Sequence, residues 1–226
     1  MQKFKASRFV RFRQAVQSVG LLVALLLIAT PAWAHHAMGG KMPANFFEGF
    51  LSGVAHPLIG LDHFAFIVAV GLLAVTRKQG ILIPVAFVLA AMVGTGLHLA
   101  NLSFPGVELF VSGSILVFGV LLTLKNSLNT ATVAGLSAVA GLCHGYAYGE
   151  SIFGAEMTPL VAYLAGFTVI QLAISLAAFW IGQATLLGQA KDQPHQLHSA
   201  GLVICGIGLA FFTSQVVSLI FPVANA

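Results

Sequence analysis

The chain has 226 residues, of which 58% are hydrophobic and only 7% are charged. Such a composition leaves too little polar surface to solvate a water-soluble globule of this length, so it predicts a membrane protein. The formal net charge of +4 comes from the first 34 residues, and the rest of the chain has no basic patch. The sequence therefore indicates no nucleic-acid partner.

The N-terminus has the features of a secretory signal peptide. Five basic residues precede an apolar run over residues 19–28, which is followed by the small-residue triplet at 32–34. This order of charged, apolar and small residues is typical of a cleaved leader. We predict cleavage before His35, with residues 1–34 as signal peptide and 35–226 as one transmembrane domain. An uncleaved first helix is the alternative, which the short apolar run disfavours.

Six further apolar segments are long enough to cross a bilayer, which takes about 20 apolar residues. In hydrocarbon these segments must be helices, because each backbone amide has to be satisfied within its own segment. The connections are short, so the sequence predicts an all-α, polytopic bundle of six transmembrane helices. The predicted spans are Phe47–Val75, Ile81–Leu102, Val107–Leu124, Leu128–Gly149, Pro159–Leu187 and Ala200–Phe221.

Basic residues in the loops predict the orientation. Arg77 and Lys78 follow the first predicted span, Lys125 follows the third and Lys191 follows the fifth, whereas the alternate loops contain no Lys or Arg. By the positive-inside rule, the three basic loops are cytoplasmic. We therefore predict a multi-pass protein of the inner membrane with both termini in the periplasm.

Several ionisable residues lie within or beside the predicted spans, where a charge costs about 2.5–3.5 kcal/mol on insertion scales. Such residues are usually functional and face the bundle interior. In the predicted orientation all of them fall near mid-membrane or in its outer half. Imidazole and carboxylate are ligands of borderline divalent metals, and the lack of thiolate ligands argues against copper(I). The candidate ligands are His56, Asp62, His63, His98, Glu108, His144 and Glu150.

The most specific local pattern lies in the first predicted span, between His56 and His63. Glycines and histidines there recur at helical steps, which places them on one face and permits close helix packing. Pro57 removes one backbone hydrogen bond and predicts a distortion of the helix, a recurring device at ion sites in transporters. The fourth span carries a comparable pattern, with Gly141, Gly145 and Gly149 around His144.

Some candidates also have explanations that involve no metal. His98 lies near a helix end, where a histidine is often interfacial, and Glu108 begins a span, where the helix dipole favours a carboxylate. Glu150 lies beside an outer loop, where solvation alone accounts for it. His36 would become the second residue after cleavage and could chelate a metal with the new terminal amine, or it could be an accident of the leader junction.

At these residues the chain resembles the HupE/UreJ family of nickel and cobalt permeases. The resemblance rests on a leader that ends before a histidine, on His56-Pro57-x-x-Gly60-x-Asp62-His63, and on His144-Gly145-x-Ala147-x-Gly149 followed by Glu150. It implies metal handling by His56, Asp62, His63, Glu108, His144 and Glu150, and uptake that serves metalloenzymes. Tyr148 departs from the pattern, since many relatives have a second histidine there, and this leaves the number of ligands open.

The sequence contains no P-loop or other nucleotide-binding signature. We therefore predict secondary, non-ATP transport of Ni²⁺ or Co²⁺, with Zn²⁺ less favoured, from periplasm to cytoplasm, without a prosthetic group and without enzymatic activity. One alternative is a membrane-embedded metal-dependent hydrolase, although the chain has no H-E-x-x-H motif. Another is a metal-binding accessory protein that does not transport. The sequence allows a homo-oligomer and does not distinguish nickel from cobalt.

Overall fold

The structure is a computed structural model that describes residues 41–124, 128–187 and 193–221. The predicted signal peptide, its cleavage site and His36 lie outside the described residues. The described part is all-helical, as the sequence predicted. Its seven helices are α1 (Phe46–Ile59), α2 (Leu61–Val75), α3 (Leu82–Leu99), α4 (Val107–Thr123), α5 (Thr130–Glu150), α6 (Met157–Leu187) and α7 (Gln193–Ile220).

Three of these helices, α3, α6 and α7, are long and apolar enough to cross a membrane. The pair α1 and α2 makes a fourth crossing if the two helices are counted as one span. Helix α4 is apolar but has only 17 residues, and α5 is not among the helices that are long and apolar enough to cross. Length and composition thus support three to four crossings among the described helices, and the count of six stays a prediction.

The first predicted span is two helices rather than one. Helices α1 and α2 meet at Gly60 with a bend of 80°. The sequence predicted a distortion at Pro57, but Pro57 lies inside α1, and the helix breaks three residues later at Gly60. Glycine has a low helix propensity because fixing its backbone costs the most conformational entropy. The break places His56 in the last turn of α1 and Asp62 in the first turn of α2.

Close contacts at glycines join the helices into three units, which we call α1–α2–α6, α3–α5 and α4–α7. A Cβ atom at these glycines would overlap atoms of the partner helix, so only glycine permits the observed approach. The contacts are Gly49 with Pro159, Gly53 with Tyr163, Gly71 with Ser175, Gly94 with Leu142, Gly141 with Phe87, Gly145 with Ala91, Gly119 with Cys205 and Gly208 with Leu116.

Helix α2 lies at the centre of the bundle, where the three units meet. It contacts α3, α4, α6 and α7 as well as α1, and 11 of its 15 residues are buried. A helix that is surrounded in this way has no solvent-facing side on which to place polar residues. Asp62 and His63, at its start, therefore face other helices, and the candidate site is built around them.

Candidate metal centre

Two histidines from distant parts of the chain form a buried pair. His63 Nδ1 on α2 lies 2.9 Å from His144 Nδ1 on α5. The tautomers of the two rings decide which nitrogen donates this hydrogen bond and which accepts it. His144 Nε2 lies 3.0 Å from the hydroxyl of Ser114 on α4. Exposure is 2% for His63 and 0% for His144. Three helices, one from each unit, thus hold one imidazole pair.

A second network holds His56 at the end of α1. Its Nδ1 lies 2.9 Å from the Ser151 hydroxyl and 3.3 Å from the Tyr163 hydroxyl, and these two hydroxyls are 2.9 Å apart. A hydrogen bond at one ring nitrogen fixes the tautomer and orientation of the ring and raises the basicity of the other nitrogen. His56 is only 3% exposed and is therefore a positioned, buried base.

Asp62 places a carboxylate at the helix break. It is 3% exposed, and its Oδ1 accepts a hydrogen bond from the backbone N–H of His63 at 2.8 Å. The N-terminal end of α2 carries the positive end of the helix dipole, which stabilises a carboxylate in the first turn. The C-terminal end of α1, which is negative, lies on the other side of Gly60. A cation at the break would be favoured by this dipole and by Asp62.

Tyr148 fills the space between the two histidine networks. Its ring centroid lies 5.0 Å from that of His56 and 4.5 Å from that of His63, and the side chain is fully buried. Its hydroxyl makes no hydrogen bond to any described residue. The position at which the chain departs from the family pattern thus lies inside the site. We call the set His56, Asp62, His63, His144 and Tyr148 the histidine cluster.

The other three predicted ligands lie outside this cluster. Glu108, in the first turn of α4, is half-buried and lies within electrostatic range of Asp62 and Glu150. Glu150 is exposed at the end of α5. His98 packs over Gly149, and its buried Nδ1 has no partner among the described residues. These residues form a polar rim on one side of the cluster, which we call the carboxylate rim.

Among the described residues, no group of three or more His, Cys, Asp or Glu side chains stands in an arrangement that would hold a metal ion. The structure gathers the predicted ligands, yet His63 and His144 point their Nδ1 atoms at each other. Coordination by either Nδ1 therefore requires that this hydrogen bond open.

Sequence reasoning missed three residues that hold the histidines, namely Ser114, Ser151 and Tyr163. Hydroxyl side chains are ordinary in membrane helices, where they bond to the carbonyl one turn back. Several serines and threonines of this chain do only that, such as Ser175 with the Gln171 carbonyl at 2.8 Å. No sequence signal separates them from Ser114, because the distinction is a contact between residues far apart in the chain.

A bundle of apolar helices that buries three histidines and an aspartate around a helix break defines a helical membrane protein with a polar site in its interior. The chain belongs to the HupE/UreJ family: it matches the family "HupE / UreJ protein" over residues 23–211. It is 31% identical over 188 residues to Protein HupE of Rhizobium leguminosarum bv. viciae, covering 82% of this chain and 94% of that protein. The family is associated with nickel and cobalt uptake. No solved structure matches the chain.

Proposed function

We propose that the protein is a secondary transporter that carries Ni²⁺ or Co²⁺ across the inner membrane, from periplasm to cytoplasm, through the histidine cluster. The observation that carries the proposal is the burial of three imidazoles and one carboxylate, from α1, α2 and α5, inside an apolar bundle. Burial of such groups in a membrane bundle is costly and is normally retained for function. Their nitrogen and oxygen donors suit nickel and cobalt.

The cation first meets the carboxylate rim. Glu150 is exposed and Glu108 is half-buried, so both can attract a hydrated ion before it loses its water. The ion then passes to Asp62 and to the imidazoles of His63 and His144. Because a hydrogen bond joins those two rings, the arriving cation takes the place of the proton that lies between their Nδ1 atoms. Ser114 and the Ser151–Tyr163 pair keep the rings oriented while this exchange takes place.

Helix directions support the proposed alternation of the spans. The glycine contacts advance in the same sense along α3 and α5, where Phe87 faces Gly141 and Ala91 faces Gly145. Along α4 and α7 they advance in opposite senses, since Gly119 faces Cys205 and Leu116 faces Gly208. These are the directions that six alternating spans would have.

The membrane potential supplies a driving force for uptake. A negative-inside potential favours inward movement of a divalent ion by about 4.6 kcal/mol per 100 mV, twice the single-charge value.

Uptake of radioactive nickel and cobalt into right-side-out membrane vesicles tests the proposal. We expect His63→Ala and Asp62→Asn to reduce uptake to the level of vesicles without the protein, because the first removes a buried imidazole and the second removes the negative charge of a buried carboxylate. His198→Ala is the control for loss of an imidazole outside the cluster, since His198 is exposed on α7 and its Nδ1 lies 3.3 Å from the Thr123 carbonyl oxygen. Uptake by this control should equal that of the wild type.

Equilibrium binding to the purified protein separates transport from simple binding. A wild type that binds nickel but moves none into vesicles would be an accessory protein, and the transport proposal would be abandoned. Normal uptake by both His63→Ala and Asp62→Asn, at limiting external metal, would remove the histidine cluster from the pathway.

A further inference from the structure

Three phenylalanines form a layer against one side of the histidine pair. The ring centroids of Phe66 and Phe118 are 4.6 Å apart, and those of Phe66 and Phe87 are 5.2 Å apart. Phe66 also lies 4.3 Å from the ring of His144, and Phe87 lies 5.8 Å from it. Exposure is 0% for Phe66 and Phe87 and 1% for Phe118. We call these three residues the phenylalanine layer.

The layer lies on the side of the histidine pair away from the carboxylate rim. Along α2, Phe66 follows His63 by one turn, and along α4, Phe118 follows Ser114 by one turn. Phe87 faces Gly141, which precedes His144 on α5. Glu108 and Glu150 lie in the opposite direction along α4 and α5. In the proposed orientation, the layer is therefore on the cytoplasmic side of the site.

Beyond the layer, the cores of the same four helices are mostly apolar. Their buried residues there include Val70, Leu73, Ile83, Leu121, Leu122 and Val133. The exception is Ser137 on α5, whose buried hydroxyl donates to the Ile83 carbonyl at 3.1 Å. A metal ion that leaves the histidine pair on this side meets three aromatic rings and then mainly hydrocarbon, which replaces little of its lost water. Hydrophobic constrictions of this kind block ions by excluding water. In the proposed orientation, this conformation is closed toward the cytoplasm.

Each ring of the layer comes from a different unit of the fold. Phe66 belongs to α1–α2–α6, Phe87 to α3–α5 and Phe118 to α4–α7. The glycine contacts hold helices together within a unit, whereas the layer lies where the three units meet. A small movement of one unit against the others would separate the rings and leave the glycine contacts intact. Rigid-body movement of packed helix groups is the usual basis of alternating access.

We propose that Phe66, Phe87 and Phe118 form the cytoplasmic gate of the pathway, and that separation of these rings sets the rate at which bound metal is released inward. The inference rests on the proposed function. It assigns to the three rings a role distinct from metal binding, because none of them offers a nitrogen or oxygen donor. A smaller side chain in the layer should therefore speed metal passage without weakening metal binding.

The test uses the full chain in proteoliposomes, with an inward-directed gradient of radioactive nickel chloride as the probe. Phe118→Ala and Phe87→Ala should raise the initial rate of nickel entry by about threefold or more, with the nickel dissociation constant within about twofold of the wild type. Phe167→Ala is the control for loss of a buried ring, because Phe167 is also fully buried but lies on α6 outside the layer, where it packs against Tyr148 and Tyr163. Its rate should not exceed that of the wild type.

Where the alanine variants do not accumulate in the membrane, leucine variants are measured instead. These are Phe118→Leu and Phe87→Leu, with Phe167→Leu as their control. Leucine keeps most of the volume but removes the ring, and we expect a smaller increase in rate. The gate is wrong if no variant in the layer speeds entry, or if the Phe167 variants speed it equally. If no nickel enters through the wild type itself, transport is refuted, and the proposed gate is refuted with it.

Discussion

At the scale of single residues, the site depends on pairing between polar groups that are buried together. One ring nitrogen of His144 is hydrogen-bonded to His63 and the other to Ser114. These two hydrogen bonds replace the ones that the buried ring would make with water. Removing one member of such a pair leaves the other unsatisfied, which costs about 1–3 kcal/mol. A loss of activity in a site variant must therefore be distinguished from a loss of stability.

Ser114→Ala should weaken nickel binding by about 10–100-fold, the usual effect of removing a partner that orients a histidine ligand. Ser112→Ala is the control on the same helix, because the Ser112 hydroxyl bonds to the carbonyls of Glu108 and Leu109 of α4. Isothermal titration of the purified proteins with nickel measures both. Equal affinity in the two variants would show that Ser114 does not position His144 for the metal.

Tyr148→His should tighten nickel binding by about tenfold or ~1.4 kcal/mol, because it adds an imidazole where the Tyr148 ring contacts His56 and His63. Tyr148→Phe is the control, since it keeps the ring and removes only a hydroxyl without a hydrogen-bond partner in the described structure. Its affinity should equal that of the wild type. If the histidine variant binds no more tightly, position 148 takes no part in coordination.

The sequence predicted much of the site at this scale. His56, Asp62, His63 and His144 were identified because charge is costly within apolar spans, and the structure buries all four; their binding of a metal stays a prediction. For His98, Glu108 and Glu150, which lie at the rim, the sequence also allowed explanations that involve no metal. Distance from a helix end does not reveal which side chains meet, and contacts such as His63 with His144 depend on how helices pack.

At the scale of elements, the break between α1 and α2 and the close approach of α3 to α5 shape the molecule. The sequence contained both Pro57 and Gly60, and either residue can end a helix. The sequence did not show which of the two residues would end α1. The glycine pattern was more informative, because Gly141 and Gly145 do pack against a neighbouring helix, at Phe87 and Ala91 of α3.

Gly94→Ala should destabilise the protein by about 1–3 kcal/mol, the usual cost of overpacking, because its Cβ would overlap the Leu142 carbonyl on α5. Gly96→Ala provides a control two residues away, where a Cβ meets no atom within 4 Å. This substitution should stabilise α3 by up to about 1 kcal/mol through helix propensity. Thermal unfolding of both variants in detergent compares them, and equal melting temperatures would contradict the close packing of α3 and α5.

At the scale of the whole molecule, three units meet around α2, and their helix directions match an alternating path through the membrane. The sequence predicted six spans from hydropathy, while length and composition of the described helices support three to four. The two counts differ because α1 and α2 are divided at Gly60, and because α4 and α5 are not among the helices that are long and apolar enough to cross. Such helices are stabilised by burial against neighbouring helices, and the sequence of one helix does not show which helices it packs against.

Cysteine labelling tests the orientation in a Cys143→Ala/Cys205→Ala background. A cysteine in place of Glu156, which is exposed between α5 and α6, should react with an impermeant maleimide added outside intact cells. A cysteine in place of Lys78, which is exposed between α2 and α3, should react only after the membrane is opened. Reaction of the Lys78 variant from outside would overturn the proposed orientation, and with it the placement of the phenylalanine layer on the cytoplasmic side.

Helix α6 and its partner α1 differ greatly in length. With 31 residues, α6 is about 46 Å long, which exceeds the hydrocarbon thickness of about 30 Å. With 14 residues, α1 is about 21 Å long and falls short of it. Thickening the bilayer would accommodate α6 better and expose α1 to greater hydrophobic mismatch. Because α1 ends at the break beside the proposed cation site, acyl-chain length should tune the geometry of that site.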